Sequence, residues 1–224
     1  MSFFSFLIHS IRHDLLETIY PTLCPGCGAL TDENHIWCSK CMKRMWNPRL
    51  INSSQSRYLK GCYTLCFYNE PIRKCIIQLK YNDRTERKRA FSSLLNRFPY
   101  WERLKEYDIV IPIPLSKKKM RLRGYNQVDL IFEKWMKRQG KTYLPDGLKR
   151  IRTAQTQSLL SREERQQNTK GVFWINHNYD ITGKKILIVD DIYTTGATMN
   201  AAAEELIRAG AKEVFGLTIA SGAW

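Results

Sequence analysis

The chain has 224 residues, 43% of them hydrophobic, and a formal net charge of +15. That apolar share is enough for a packed core and excludes a disordered chain, and the length suits one domain with a small appendage. No segment approaches the ~18 apolar residues of a bilayer span, and the basic excess favours a polyanionic partner (nucleic acid, a polyphosphate or an acidic membrane surface), with general solubility as the competing reading.

The first 21 residues, MSFFSFLIHSIRHDLLETIYP, place Phe4, Ile8, Ile11, Leu15 and Ile19 at helical spacing. They predict an amphipathic helix that docks on its own protein, with a partner or membrane surface as the alternative. The first positive charge is Arg12 and the apolar run is broken at Ser5, unlike an export signal. The seven cysteines are therefore expected in a reducing cytoplasm, not in disulfides. Residues 1–50 are read as this helix plus a small cysteine unit, and residues 51–224 as the main domain, with the boundary in the polar stretch Arg49–Lys60. Onward, Gly61–Asn69 reads as a strand, Glu70–Lys80 and Asp83–Phe98 as helices, and Asp108–Ile113 as a short strand. Asn126–Gln139 is helical, Thr153–Lys170 a polar mobile loop or poorly anchored helix, and Val172–Ile175 a weak strand. Ile186–Val189 is a strand, Thr198–Ala209 a helix closed by Gly210, and Val214–Ile219 a last strand. Strands alternating with helices predict a mostly parallel α/β sheet.

Cys24-Pro-Gly-Cys27 and Cys38-Ser-Lys-Cys41 form two C-x₂-C pairs with ten residues between them. Each pair can make a tight knuckle, and two knuckles close a tetrahedral site, so structural Zn²⁺ is expected on Cys24, Cys27, Cys38 and Cys41. A redox dithiol and an iron–sulfur cluster are the competitors. A unit this short has little core, so the metal would supply much of its folding free energy. Cys62, Cys66 and Cys75 lack knuckle spacing and read as small core residues.

The stretch ILIVDDIYTTGAT carries the clearest chemistry. A β-branched run, as in a strand buried on both faces, ends in two adjacent carboxylates, Asp190 and Asp191. Like charges side by side are a poor structural choice, but a carboxylate is a good acceptor for vicinal hydroxyls. Thr194, Thr195, Gly196, Ala197 and Thr198 then lead into a helix, whose first N–H groups and dipole favour a phosphate, with Gly196 allowing close approach. Diol acceptors followed by a phosphate cup describe a ribose 5-phosphate site.

This stretch resembles the phosphoribosyl-pyrophosphate (PRPP) signature of the type I phosphoribosyltransferase fold. The resemblance implies that Asp190 and Asp191 hold ribose hydroxyls and that Thr194–Thr198 hold the 5-phosphate. PRPP also carries a pyrophosphate, usually with Mg²⁺, so a second anion-binding loop is needed. IPIPLSKKKMRLRGYNQ is the candidate, with Arg121, Arg123, Gly124, Asn126 and Gln127 offering guanidinium forks and amide donors for pyrophosphate or DNA phosphate. A solvated charge run is the alternative. Transferases of this fold close a flexible loop over the ligand, and the polar stretch carrying Arg152, Gln157, Arg162, Arg165 and Asn168 is placed for that role. An ordinary exposed helix is equally compatible with its composition.

The order of LKYNDR (contributing Lys80), VIPIPLS, RLRGYNQ, RTAQTQSLLSREERQQN and LIVDDIYTTGAT behind a Cys₄ unit is similar to the ComF/GntX family over essentially the whole chain. That resemblance implies a cytoplasmic role in natural transformation, on incoming single-stranded DNA, beside a helicase-like partner. Two functions stay open: a binding protein for a phosphoribosyl group and single-stranded DNA, or an active transferase passing phosphoribose from PRPP to an unidentified acceptor. Tyr58, Tyr63, Tyr81 and Trp101 are candidates for stacking bases, each with a plain core or surface alternative. A dinucleotide oxidoreductase is disfavoured, because no GxGxxG follows a strand.

Overall fold

The computed structural model describes residues 22–31, 36–51, 56–81, 87–151 and 171–222. The expected N-terminal helix, the end of LKYNDR and the polar stretch with Arg152, Gln157, Arg162, Arg165 and Asn168 lie outside the described residues. The elements in chain order are α1 (Ser39–Met45), β1 (Trp46–Ile51), β2 (Leu59–Phe67), α2 (Glu70–Tyr81), α3 (Lys88–Asn96), β3 (Ile109–Pro112), α4 (Lys117–Arg123), α5 (Gln127–Arg138), β4 (Thr142–Tyr143), β5 (Leu148–Arg150), β6 (Phe173–Ile175), β7 (Lys185–Tyr193), α6 (Ala197–Arg208) and β8 (Glu213–Ser221).

Six strands form one sheet in the order β1-β2-β8-β7-β3-β4, and β5 pairs with β6 in a separate antiparallel ribbon. All pairings in the large sheet are parallel except β1 with β2 at the edge. The central strand explains itself. Ile186, Leu187, Ile188 and Val189 are wholly buried, and they alternate between two cores. Leu187 and Val189 join Ile76, Leu79, Phe91, Val128 and Phe132 on one face, under α2, α3 and α5. Ile186 and Ile188 join Met199, Ala202, Leu206 and Phe173 on the other, under α6 and the β5–β6 ribbon. Each such side chain contributes about 1.5–3 kcal/mol by leaving water. Both faces must be apolar, which is why the run is continuous rather than alternating.

The cysteine unit is fused to the main domain. Cys24, Trp37, Cys41 and Met45 lie in the same core as Ile72, Cys75 and Phe91. Trp37 Nε1 donates to the Ala90 carbonyl at 3.0 Å, and Asn69 Nδ2 donates to the Arg44 carbonyl at 2.7 Å. A Cβ on Gly26 would meet Pro71 Cβ at 2.9 Å, so the first knuckle lies directly on the start of α2. The expected change of unit at residue 50 falls inside β1, which pairs with β2 through Leu50↔Tyr63 and Ile51↔Cys62. WNPRLI carries a proline and no clean alternation, and only an edge strand tolerates that.

The strand and helix expectations over 61–69, 70–80, 108–113, 126–139, 172–175, 186–189, 198–209 and 214–219 are each met within a few residues. Two points differ. Lys117–Arg123 is helical rather than loop, capped by the Ser116 hydroxyl, which accepts from Lys119 N–H, and ended by Gly124 at φ 76°. It buries none of its residues, so no apolar period was there to reveal it. Strand β7 also runs on to Tyr193, past the acid pair, because β8 continues beside it to Ser221.

Candidate ribose-phosphate site and cysteine centre

The chain leaves β3 through α4 and α5 toward β4, and leaves β7 through α6 toward β8. These crossovers cover opposite faces of the sheet and run in opposite directions from the adjacent pair β3–β7. That is a topological switch point, where open parallel sheets form a crevice at the carboxyl ends of their strands. The β3–β7 ladder stops at Pro112↔Val189, with Ile113 N–H donating to the Val189 carbonyl at 2.9 Å. Asp190 and Asp191 follow at once, past the end of β3.

Asp191 is 5% exposed and is held from two elements. Lys80 Nζ, from the last turn of α2, lies 2.6 Å from Asp191 Oδ2. Gln127 Nε2, from the first turn of α5, donates to the same oxygen at 3.1 Å. Arg123 Nη1 in turn donates to Gln127 Oε1 at 2.9 Å. The Tyr125 hydroxyl donates to the Leu79 carbonyl at 2.5 Å, pinning the RGYNQ turn to the residue before Lys80. Asp190 Oδ1 accepts from Asp191 N–H at 2.8 Å. Burial first, and then the charge of Asp191, push the Asp190 carboxyl well above the usual carboxylate range.

Gly196 makes the turn into α6 with φ 78°, and a Cβ there would meet Tyr193 Oη at 2.2 Å. Only glycine gives both the backbone angle and the space. Thr194, Thr195 and Ala197 are exposed and Thr198 half-buried around that turn. The Thr195 hydroxyl accepts from Ala197 N–H at 3.4 Å.

The structure thus brings Lys80, Arg123, Gln127 and Asp191 into one hydrogen-bonded chain beside Asp190 and the Thr194–Thr198 turn. Arg121 is exposed on α4, and Gly124 serves as its cap. Asn126 is buried and its amide is committed to the fold. Its Oδ1 accepts from Val128 N–H at 3.2 Å as the α5 cap, and its Nδ2 donates to the Ile113 carbonyl at 3.2 Å. Tyr125 was missed as a site residue. A single tyrosine in a polar run gives no signal of a partner 46 residues away.

The four cysteines converge as their spacing implies. The Sγ atoms of Cys24, Cys27, Cys38 and Cys41 all lie within 4.8 Å of one another. Cys27 and Cys38 Sγ are 3.6 Å apart, and Gly28 N–H closes the first knuckle on the Cys24 carbonyl at 2.8 Å. Burial raises the Cys24 thiol, but N–H donors of Cys38, Cys27 and Gly26 outweigh it and bring the pKa down to about 7. Burial and the neighbouring sulfurs drive Cys41 upward. Four thiols this close cannot all ionise without a cation among them, and a tetrahedral thiolate-binding ion such as zinc fits that donor set.

The phosphoribosyl transferase domain family matches residues 149–221, from β5 to β8 with the acid pair and the threonine turn inside. A DNA utilization protein YhgH of Shigella flexneri is 32% identical over 202 residues, covering 86% of this chain and 81% of that protein. A competence protein ComFC of Bacillus subtilis is 29% identical over 196 residues, covering 87% and 75%. A solved allosteric regulatory enzyme of purine biosynthesis aligns at TM-score 0.43 and 22% identity, over 64% of this chain and 30% of that one. No helix of the described residues is long and apolar enough to cross a membrane. The chain belongs to the ComF family of phosphoribosyltransferase-like proteins.

Proposed function

We propose that the crevice between β3 and β7 holds a phosphoribosyl group, with PRPP and its Mg²⁺ as the ligand, and that the protein serves DNA utilization in natural transformation. The observation that carries this reading is the acid pair at the switch point, followed five residues on by the left-handed Gly196 turn into α6. Asp190 and Asp191 accept from the ribose hydroxyls. The N–H groups and hydroxyls of Thr194–Thr198 take the 5-phosphate, where the α6 dipole adds to them. Lys80, Arg121 and Arg123 neutralise the remaining phosphates, while Gln127 fixes Asp191. The four cysteines hold zinc and so brace α1 against α2. The basic surface suits single-stranded DNA handled in the cytoplasm with a helicase-like partner; the names of its relatives, a DNA utilization protein and a competence protein, support the DNA part of that reading. Residues 1–172 carry 32 Lys and Arg against 15 Asp and Glu, and residues 173–224 carry 4 against 6, so that charge lies mostly outside the acid-pair motif.

The diol role is tested by titrating the zinc-loaded protein with ribose 5-phosphate and with 2-deoxyribose 5-phosphate. Loss of the 2-hydroxyl leaves a carboxylate oxygen unpaired and is expected to weaken binding about tenfold, near the ~1.5 kcal/mol of a hydrogen bond to a charged group. Equal affinity for the two sugars would remove the acids from the ligand.

A further inference from the structure

Three of the aromatic side chains that the sequence offers for base stacking, Tyr58, Tyr63 and Trp101, are buried or half-buried, and the Tyr81 side chain lies outside the described residues. Tyr63 is buried, stacked on Tyr100 at 5.1 Å. Trp101 packs edge-on to Trp135 at 4.6 Å, and Tyr58 packs against the second core. Among the described residues, the exposed large apolar aromatic ring is that of Trp174, on the β5–β6 ribbon, with 42% of its surface open. This ribbon has a clear inside and outside. Leu148, Phe173 and Ile175 point into the core, and Lys149 and Trp174, which face each other across the two strands, point away. Lys149 Nζ lies 5.3 Å from the Trp174 ring centre, and His177 meets the ring edge-on at 5.7 Å. Ile151, which extends the ribbon through a 3.0 Å bond to the Val172 carbonyl, is 49% exposed.

The open part of this ring, at the middle of a two-stranded ribbon, is left unburied by the fold. The nearby carboxylate, Asp146, is already engaged by Asn176 Nδ2 at 3.0 Å and by the Tyr179 hydroxyl at 2.7 Å. Lys149 places a positive charge on the outward face, beside the ring. A flat ring beside an ammonium is what an unpaired nucleotide needs: the base stacks on the ring and its phosphate meets the cation.

We propose that the outer face of the β5–β6 ribbon, Trp174 with Lys149, is a stacking platform for a base of single-stranded DNA. The platform lies on the β5–β6 ribbon, a different sheet from the one that carries the acid pair, and it rests on the reading that this protein binds single strands. Because stacking tolerates any base, this contact adds affinity without sequence preference. Lys149 contributes one phosphate contact and hence about one counterion's worth of salt dependence.

The test is fluorescence anisotropy of the full-length, zinc-loaded protein with a labelled 20-mer oligothymidylate and with an abasic 20-mer of the same charge. Trp174→Leu keeps an apolar side chain but no ring, and is expected to weaken thymidylate binding about tenfold while leaving the abasic strand unchanged. Trp174→Phe is expected to restore most of the loss. Lys149→Ala is expected to lower the salt slope of both probes by roughly one. Unchanged thymidylate affinity in Trp174→Leu would overturn the platform while leaving DNA binding standing. Equal losses on both probes would overturn it too, marking Trp174 as a packing residue for another segment or a protein. Absence of thymidylate binding by the wild type would overturn the platform together with the single-strand reading.

Discussion

Gly196 and Gly124 both adopt left-handed backbone angles, 78° and 76°, but in different surroundings. A Cβ on Gly124 would have nothing within 4 Å, whereas on Gly196 it would meet Tyr193 Oη at 2.2 Å and Cζ at 2.7 Å. An alanine in that region costs roughly 1–2 kcal/mol from its own backbone. Gly124→Ala should cost that and no more. Gly196→Ala adds overpacking against a tyrosine that is only 7% exposed and sits against the second core. Forcing extra atoms into a packed region adds roughly 1–3 kcal/mol, giving about 2–5 kcal/mol in total. At roughly 2–4 °C per kcal/mol for a chain of this size, the Gly196 variant should melt about 4–20 °C lower and the Gly124 variant about 2–8 °C lower. Urea unfolding with zinc in excess, at constant m, gives the difference as a shift in midpoint. Gly196→Ala should also lose ribose 5-phosphate binding, since relieving the clash moves the turn that holds the phosphate, while Gly124→Ala should keep it. Equal midpoint shifts for the two alanines, or intact sugar-phosphate binding in the Gly196 variant, would refute the argument that this turn is built around a missing side chain.

Lys80→Met leaves the buried Asp191 carboxylate with the Gln127 amide but no cation beside it, and should destabilise the domain by about 3–5 kcal/mol. The double variant with Asp191→Asn should recover most of that, and a double variant no more stable than the single would show the two side chains to be uncoupled. Asp190 holds its proton more tightly folded than unfolded. The native state thus binds more protons above the ordinary Asp range, and stability falls as pH rises from there through the elevated folded pKa. Asp190→Asn should flatten that part of the curve and raise stability at neutral pH, and a curve that keeps its slope would contradict the raised Asp190 pKa. Chelating the zinc should lower the melting temperature of the whole protein by about 10 °C or more, because Trp37 and Met45 share a core with the main domain. A melting temperature indifferent to chelator would mean that the cysteines carry no structural metal.

Much of this was legible in the residues, and the gaps have physical causes. The run Ile186–Val189 announced a strand buried on both faces, since a half-exposed strand would have alternated. The two C-x₂-C pairs announced convergent sulfurs because each knuckle is local. Helix α4 was hidden because it buries nothing, so its side chains carry the charge of a loop. β1 was hidden because Trp46–Ile51 earns its place only by pairing with β2, a contact between segments that no local pattern encodes. Asn126 read as an anion ligand from its chemistry alone, whereas in the fold its amide caps α5 and ties it to β3. Lys80 and Gln127 were both named for phosphate contacts, and their convergence on Asp191 depends on how α2 and α5 pack, which no spacing in the sequence reports. The exposure of Trp174 was likewise invisible, because a tryptophan in FWI reads as core until the ribbon is seen to have one buried face.

The most direct test of the central claim is calorimetric titration of the zinc-loaded protein with PRPP and Mg²⁺, beside an Asp190→Asn/Asp191→Asn variant shown by its melting curve to be folded. Saturable one-site binding by the wild type that the variant loses is the expected result. No heat from a folded, zinc-replete wild type, or equal binding by the variant, would contradict the assignment of the β3–β7 crevice as a phosphoribosyl site.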